Sequence, residues 1–171
     1  DLDGTVYRGG RLIPGAAETL ARLRARSARV VFLSNNPTYT REQYAAKLAR
    51  LGIPCAVAEV ANSTYAVIRE LQRDAPAARL YVVGEPVLVN ELRDAGFALA
   101  ATPEETDIVL LAFDRTFHYG KWLFAHRALR RGAQLWATNP DRTCPTEEGD
   151  TPDCGSLIPA FEASSGRKLD R

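Results

Sequence analysis

Two carboxylates stand at the head of the chain, in Asp1-Leu2-Asp3-Gly4-Thr5. On extended backbone, side chains at i and i+2 share a face, so Asp1 and Asp3 can act on one ligand. One acid can attack as a nucleophile while the other moves protons. Together they make a hard oxygen site suited to Mg²⁺. Gly4 lets the backbone turn sharply and approach a ligand. A polar turn with glycine as its turn former is the plainer reading of the same five residues. A second polar group, Ser34-Asn35-Asn36-Pro37, follows the apolar run at residues 29–34. Ser34 offers a hydroxyl and the next residues offer backbone N–H groups, which is what a phosphate needs beside a helix N-terminus.

Both groups need strands to hold them. The β-branched run at 29–34 predicts a strand buried on both faces, as in a parallel sheet. A helix is predicted over 16–26, and Val6 to Ile13 reads as a loop or short hairpin. Thr40 and Gln43 form a capping box that opens a helix running to about residue 51. The character shifts after Ile53. Asn62 or Ser63 caps a helix to about 73, and a strand at 80–84 and a helix over 87–95 follow. Beyond them come strands at 97–100 and 107–113, a helix over 119–131 and a strand at 134–138. Residues 139–153 read as a long polar loop, and 155–165 as a last helix. Alternating strands and helices define an α/β fold. In such a sheet ligands sit beyond the carboxyl ends of the strands, so both polar groups face one crevice. A carboxylate nucleophile with Mg²⁺ there points to phosphoryl transfer through an aspartyl-phosphate. Asp1 attacks phosphorus, and Asp3 protonates the leaving alcohol, a role that asks for a raised pKa.

Composition sets the bounds. The 171 residues allow one domain or two small ones, and 46% hydrophobic residues can fill a core. With 22 basic against 21 acidic residues there is no footprint for nucleic acid. No apolar run reaches bilayer length and no signal peptide is visible, so neither a membrane partner nor export is expected. Cys55, Cys144 and Cys154 lack CxxC spacing, which argues against zinc and for free thiols in a cytoplasmic protein. The chain opens on an acid without the strand that Asp1-Leu2-Asp3 should end, and it reads as a fragment. His118 and His126 would lie about 12 Å apart along a helix, too far to share a metal, and read as structural. Trp122, Phe124 and Trp136 read as packing residues and Asp114 as a loop acid. The run Glu147-Glu148-Gly149-Asp150 is an unusual neighbour for a phosphate site.

Asp1-Leu2-Asp3-Gly4-Thr5-Val6-Tyr7 and Leu33-Ser34-Asn35-Asn36 resemble the first two motifs of the haloacid-dehalogenase superfamily. Tyr81-Val82-Val83-Gly84, Phe113-Asp114-Arg115-Thr116-Phe117, Ala137-Thr138-Asn139-Pro140-Asp141, Gly155-Ser156-Leu157 and Ser165-Gly166-Arg167-Lys168 resemble its subfamily IIA, the nitrophenylphosphatase-like (NagD-like) branch. The resemblance implies a partial Rossmann-like core at residues 1–58 and 154–171, with an inserted α/β cap of the C2 type at 59–153. It implies a phosphatase acting on small phosphorylated metabolites. Asp1 is then nucleophile and Mg²⁺ ligand, and Asp3 general acid/base with its main-chain carbonyl on the metal. Gly4, Ser34, Asn35 and Asn36 would hold the phosphate, and Asn139 and Asp141 would read the substrate from the cap side. A homodimer through the cap is also implied. The family's third-motif lysine and fourth-motif metal acid have no counterpart in the chain, and Lys168 stands at a different place. The 171-residue chain is therefore expected to be inactive or nearly so by itself. The alternative is a non-catalytic phospholigand-binding or scaffold protein on the same fold.

Overall fold

The computed structural model describes residues 1–146 and 149–171; Glu147 and Glu148, the centre of the acidic run, lie outside them. The first unit forms around Leu2, which is fully buried with Val6, Tyr7, Phe32, Tyr44, Leu48, Ile53 and Val60. Strands β1 (Tyr7–Arg8) and β2 (Arg11–Leu12) make a small antiparallel hairpin, and helix α1 (Ala16–Ala25) follows. Strand β3 (Phe32–Ser34) pairs in parallel with β4 (Val60–Asn62), setting Ser34 opposite Asn62. Helix α2 (Arg41–Arg50) opens with the expected box: Gln43 N–H donates to Thr40 Oγ1 at 3.2 Å, and Thr40 N–H to Gln43 Oε1 at 2.8 Å.

The strand at 29–34 departs from expectation. Only residues 32–34 pair, and they are not buried on both faces. Phe32 and Ser34 point inward, whereas Val31 is 48% exposed and Leu33 55%. The cause is a two-stranded sheet covered on one side only, so the period-2 alternation of a half-buried strand replaces the continuous burial of a central one.

The second unit is a four-stranded, all-parallel sheet in the order β6-β5-β7-β8, built from β5 (Arg79–Val83), β6 (Ala98–Leu99), β7 (Ile108–Leu111) and β8 (Gln134–Ala137). Every residue of β7 is buried, which explains its unbroken apolar sequence. Helices α3 (Ser63–Asp74) and α4 (Pro86–Asp94) cover one face through Val67, Leu71, Leu88 and Leu92. Helices α5 (Tyr119–Arg130) and α6 (Cys154–Ser165) cover the other through Ala125, Leu129, Cys154 and Phe161. Asn62 caps α3 by accepting the Tyr65 N–H at 2.9 Å.

Two expectations need correction. The supposed loop at 139–153 holds an antiparallel hairpin, β9 (Thr143–Thr146) and β10 (Gly149–Pro152). Its mostly exposed residues carry no apolar alternation, and Pro145 and Pro152 sit where edge strands tolerate them. The other concerns residues 154–171, which were grouped with 1–58. Here α6 packs on α5, β7 and β8, because its apolar face completes the cluster around Phe161. The tail then runs beside β8: Asp170 N–H donates to Leu135 O at 2.8 Å, and Ala137 N–H to Arg171 O at 2.7 Å. Packing thus joins 154–171 to the four-stranded unit. Among the described residues no helix is long and apolar enough to cross a membrane.

Candidate active site

The first acids are set by a tight turn. The Leu2 carbonyl accepts the N–H groups of Thr5, Val6 and Tyr7 at 3.2, 2.9 and 3.3 Å. Gly4 sits at φ 80°, a left-handed conformation that costs a glycine little, and its N–H donates to Tyr7 O at 2.8 Å. Leu2 plugs the core while Asp1 and Asp3 flank it. Asp1 is exposed and held locally: Oδ1 accepts the Leu2 N–H at 2.8 Å, and Oδ2 takes the Thr5 hydroxyl at 3.5 Å. Asp3 is half-buried, and burial lifts its carboxyl above the ordinary carboxylate range against the opposing pull of Lys47. Burial in turn lowers the Lys47 ammonium, which Asp3 pulls back up and Arg50 lowers further. Lys47 Nζ lies 3.7 Å from the centre of the Tyr7 ring.

Ser34 points inward from the end of β3. Its hydroxyl donates to Tyr44 Oη at 3.0 Å, and Tyr44 donates to Asn36 O at 3.0 Å. Ser34 Oγ also accepts the Asn36 N–H at 3.3 Å. The hydroxyl is thus engaged and only 7% exposed. Tyr44 ties this turn to the acid motif: burial raises its pKa, the Ser34 bond lowers it, and Asp3 adds a further rise. Asn36 turns its side chain to the Thr38 N–H at 2.9 Å, a local turn contact. Tyr44 and Lys47 were missed in the sequence, although their i, i+3 spacing on α2 puts both on the helix face that meets the acid motif.

The third part arrives from the second unit. Asn139 is buried; its Nδ2 donates to Asn35 O at 3.3 Å, and its Oδ1 accepts the Asp141 N–H at 2.9 Å. Asn35 Nδ2 donates to Asp141 Oδ2. Asn35, Asn139 and Asp141 therefore meet. Gly155 holds this loop against α6: a Cβ there would lie 2.0 Å from Pro140 O, and the Gly155 N–H donates to Asp141 O at 2.7 Å. Asp153 caps α6 and is raised by burial, with lowering from the Cys154 N–H and Asn139 and a rise from Asp141. Burial raises the Cys144 thiol first, and Asp153, Asp3 and Asp141 raise it further.

The remaining residues fall elsewhere. His118 caps α5 by accepting the Gly120 N–H at 3.1 Å. Asp114, its side chain fully buried, holds Lys121 Nζ at 2.6 Å. Trp136 is 3% exposed in the core. Lys168 pairs with Glu162 at 3.3 Å on the surface, with an 87% exposed side chain. The three thiols are free. For a hard cation, Asp1 and Asp3 offer suitable oxygens, and Asp1 is open to solvent. Among the described residues no three His, Cys, Asp or Glu side chains gather as a metal cluster.

A parallel α/β scaffold with paired acids at a tight turn defines a class, and the chain belongs to the haloacid dehalogenase-like hydrolases, whose family model matches residues 1–98. It is 36% identical to the sugar-phosphatase AraL of Bacillus subtilis over 99% of this chain and 62% of that protein. It is also 36% identical to a human glycerol-3-phosphate phosphatase, again over 99% of this chain and 62% of that protein. A 4-nitrophenylphosphatase structure from Thermotoga maritima superposes with a TM-score of 0.93 at 35% identity, covering 99% of this chain and 64% of that one. The chain thus spans less than two thirds of the length of these relatives.

Proposed function

We propose that the chain carries the nucleophile and the substrate-reading unit of a Mg²⁺-dependent phosphatase acting on small phosphorylated metabolites. The observation that carries the reading is the convergence of three segments distant in sequence: the acid motif through Leu2 and Tyr7 packs with Tyr44, which bonds Ser34, and Asn139 and Asp141 meet Asn35. The relatives' names, a sugar phosphatase and a glycerol-3-phosphate phosphatase, support the substrate class.

Asp1 attacks the phosphoryl phosphorus through a carboxylate oxygen. The ester P–O bond breaks, and the leaving alcohol takes its proton from Asp3. Water then attacks the aspartyl-phosphate, Asp3 takes that water's proton, and phosphate departs with Asp1 restored. The burial that lifts the Asp3 carboxyl favours the protonated form needed for the first step. Backbone N–H groups of the Asn35 turn face the transferring group, and Asn139 and Asp141 close over it from the second unit, which acts as the cap. Asp1 through its carboxylate and Asp3 through its carbonyl would hold Mg²⁺, which would supply charge neutralisation at the phosphoryl group.

The test is hydrolysis of 4-nitrophenyl phosphate by a protein carrying this sequence at the length of its relatives. Turnover should require Mg²⁺, stop on chelation and return on re-addition. Asp1→Asn should lower kcat by about 10³-fold or more without unfolding the protein. Unchanged turnover in that variant refutes the nucleophile assignment. Phosphate binding without turnover in the native protein favours the phospholigand-binding alternative.

A further inference from the structure

A cleft of about 720 Å³ lies between the tip of the β1–β2 hairpin and helix α2, and the proposed chemistry does not use it. The tip supplies Gly9 and Gly10, the turn after β3 supplies Tyr39, and α2 supplies Gln43, Lys47 and Arg50. The lining thus offers an ammonium, a guanidinium, an amide and a phenol. Among the described residues no carboxylate lines it. The N–H groups of Gly9 and Gly10 have no acceptor among the described residues, and the space over Gly10 is open. A hollow so rich in donors and free of acids is suited to an oxyanion.

The two cations stand without anions. Neither Lys47 nor Arg50 has an ion pair or a hydrogen bond among the described residues. Lys47 is half-buried, with Nζ 3.7 Å from the centre of the Tyr7 ring and 5.8 Å from that of Tyr39. Ring faces attract an ammonium but neutralise none of its charge. Arg50 follows three positions later on α2, so the like charges share a helix face and repel. An oxyanion between them offsets both the repulsion and the burial of Lys47. Contacts also tie the cleft to the acid motif. Asp3 and Tyr7 form a one-residue parallel bridge, and Lys47 stands on the Tyr7 ring. Tyr39 meets Tyr44 edge-on at 5.5 Å between ring centres, and Tyr44 bonds Ser34.

We propose that this cleft binds a phosphoryl oxyanion between Lys47 and Arg50, with the Gly9–Gly10 tip as its third wall. Free phosphate and the phosphoryl group of a monoester present the same oxygens, and the volume leaves room for an organic part. The inference goes beyond the phosphatase reading, because it concerns donors which that reading leaves unused.

The test reads binding at Lys47 itself. A protein carrying this sequence at the length of its relatives is labelled with ¹³C at the lysine ε-carbons. The Lys47 signal is assigned by its loss in Lys47→Arg. Inorganic phosphate and ethylphosphonate are titrated separately, with sodium chloride holding the ionic strength constant. The signal should move saturably with phosphate. Movement with ethylphosphonate as well assigns the cleft to monoesters too, and movement with phosphate alone assigns it to the free anion. Arg50→Ala should raise the midpoint of the phosphate titration about tenfold, and Arg50→Lys should recover part of that loss. A Lys47 signal that phosphate does not move overturns the proposal. So does an unchanged midpoint in Arg50→Ala, since the shift then reports phosphate bound at the acid motif. No turnover enters the readout, so a failed titration leaves the Asp1 assignment standing, and an inactive protein leaves the titration valid.

Discussion

Tyr44 is the residue on which the site's parts depend. It accepts the hydrogen bond of the Ser34 hydroxyl, donates its own to Asn36 O, and is 1% exposed. Tyr44→Phe keeps the ring and deletes both bonds, so the Ser34 hydroxyl loses its acceptor in a dry place. The expected cost is about 1–3 kcal/mol in urea unfolding, because a buried polar group left unpaired costs its desolvation. KM for 4-nitrophenyl phosphate should rise as the Asn35 turn loosens, while Asp1 chemistry persists. A variant as stable as the native protein would contradict this. At this scale the sequence was partly legible. Residue types and spacing single out Asp1, Asp3 and Ser34 as candidates, whereas Asn139 and Asp141 enter only through the family resemblance; the structure brings Asn139 and Asp141 against Asn35. Tyr44 and Lys47 were not visible, since an aromatic or basic residue on a helix acquires its meaning only from what folds against it.

Elements were easier. Capping boxes and β-branched runs are local signals, and α2, α3, β5, α4, β7 and α5 fall where those signals put them. The misses have a common cause. Burial on both faces was assigned to β3 from its composition, but composition does not say how many layers cover a strand, and Leu33 is 55% exposed. The β9–β10 hairpin carries no apolar face and so no periodicity. Gly155 marks where an element meets the site most closely. Its missing side chain lets α6 start against the Pro140 carbonyl, which a Cβ would meet at 2.0 Å. That atom is backbone and cannot rotate away. Gly155→Ala should therefore push apart α6 and the Asn139–Asp141 loop, with a loss of roughly 1–3 kcal/mol or more in chemical denaturation. A crystal structure of the variant with the Asn139 to Asn35 bond intact would count against this.

At the scale of the whole molecule, a half-buried acid of the second unit feels charges of the first. Glu91 on α4 has an Oε2 with no hydrogen-bond partner among the described residues. Burial raises its pKa to about 7, Glu42 of α2 and Asp94 add to the rise, and Arg41 of α2 opposes it. A folded-state pKa above the unfolded value stabilises the protein below the unfolded pKa, and that contribution is lost as pH rises through about 7. Glu91→Gln removes the ionisation. Its melting temperature relative to the native protein should gain between roughly pH 4.5 and 7 and stay level above. Equal gaps at pH 5 and pH 8 would remove the basis for this prediction. Such contacts between units were the least legible part of the sequence, which also divided the chain differently from its packing at residues 154–171.

The contact of Asn139 with Asn35 spans 104 positions along the chain. On a ribosome making 5–20 residues per second, Asn35 emerges roughly 5–20 s before its partner exists. Through that interval the first unit can form its hairpin and α2, but the turn after β3 stays without its cover. Synthesis therefore brings the Asn139 loop to the turn after β3 late, and a chain halted anywhere before residue 139 holds that turn without its partner.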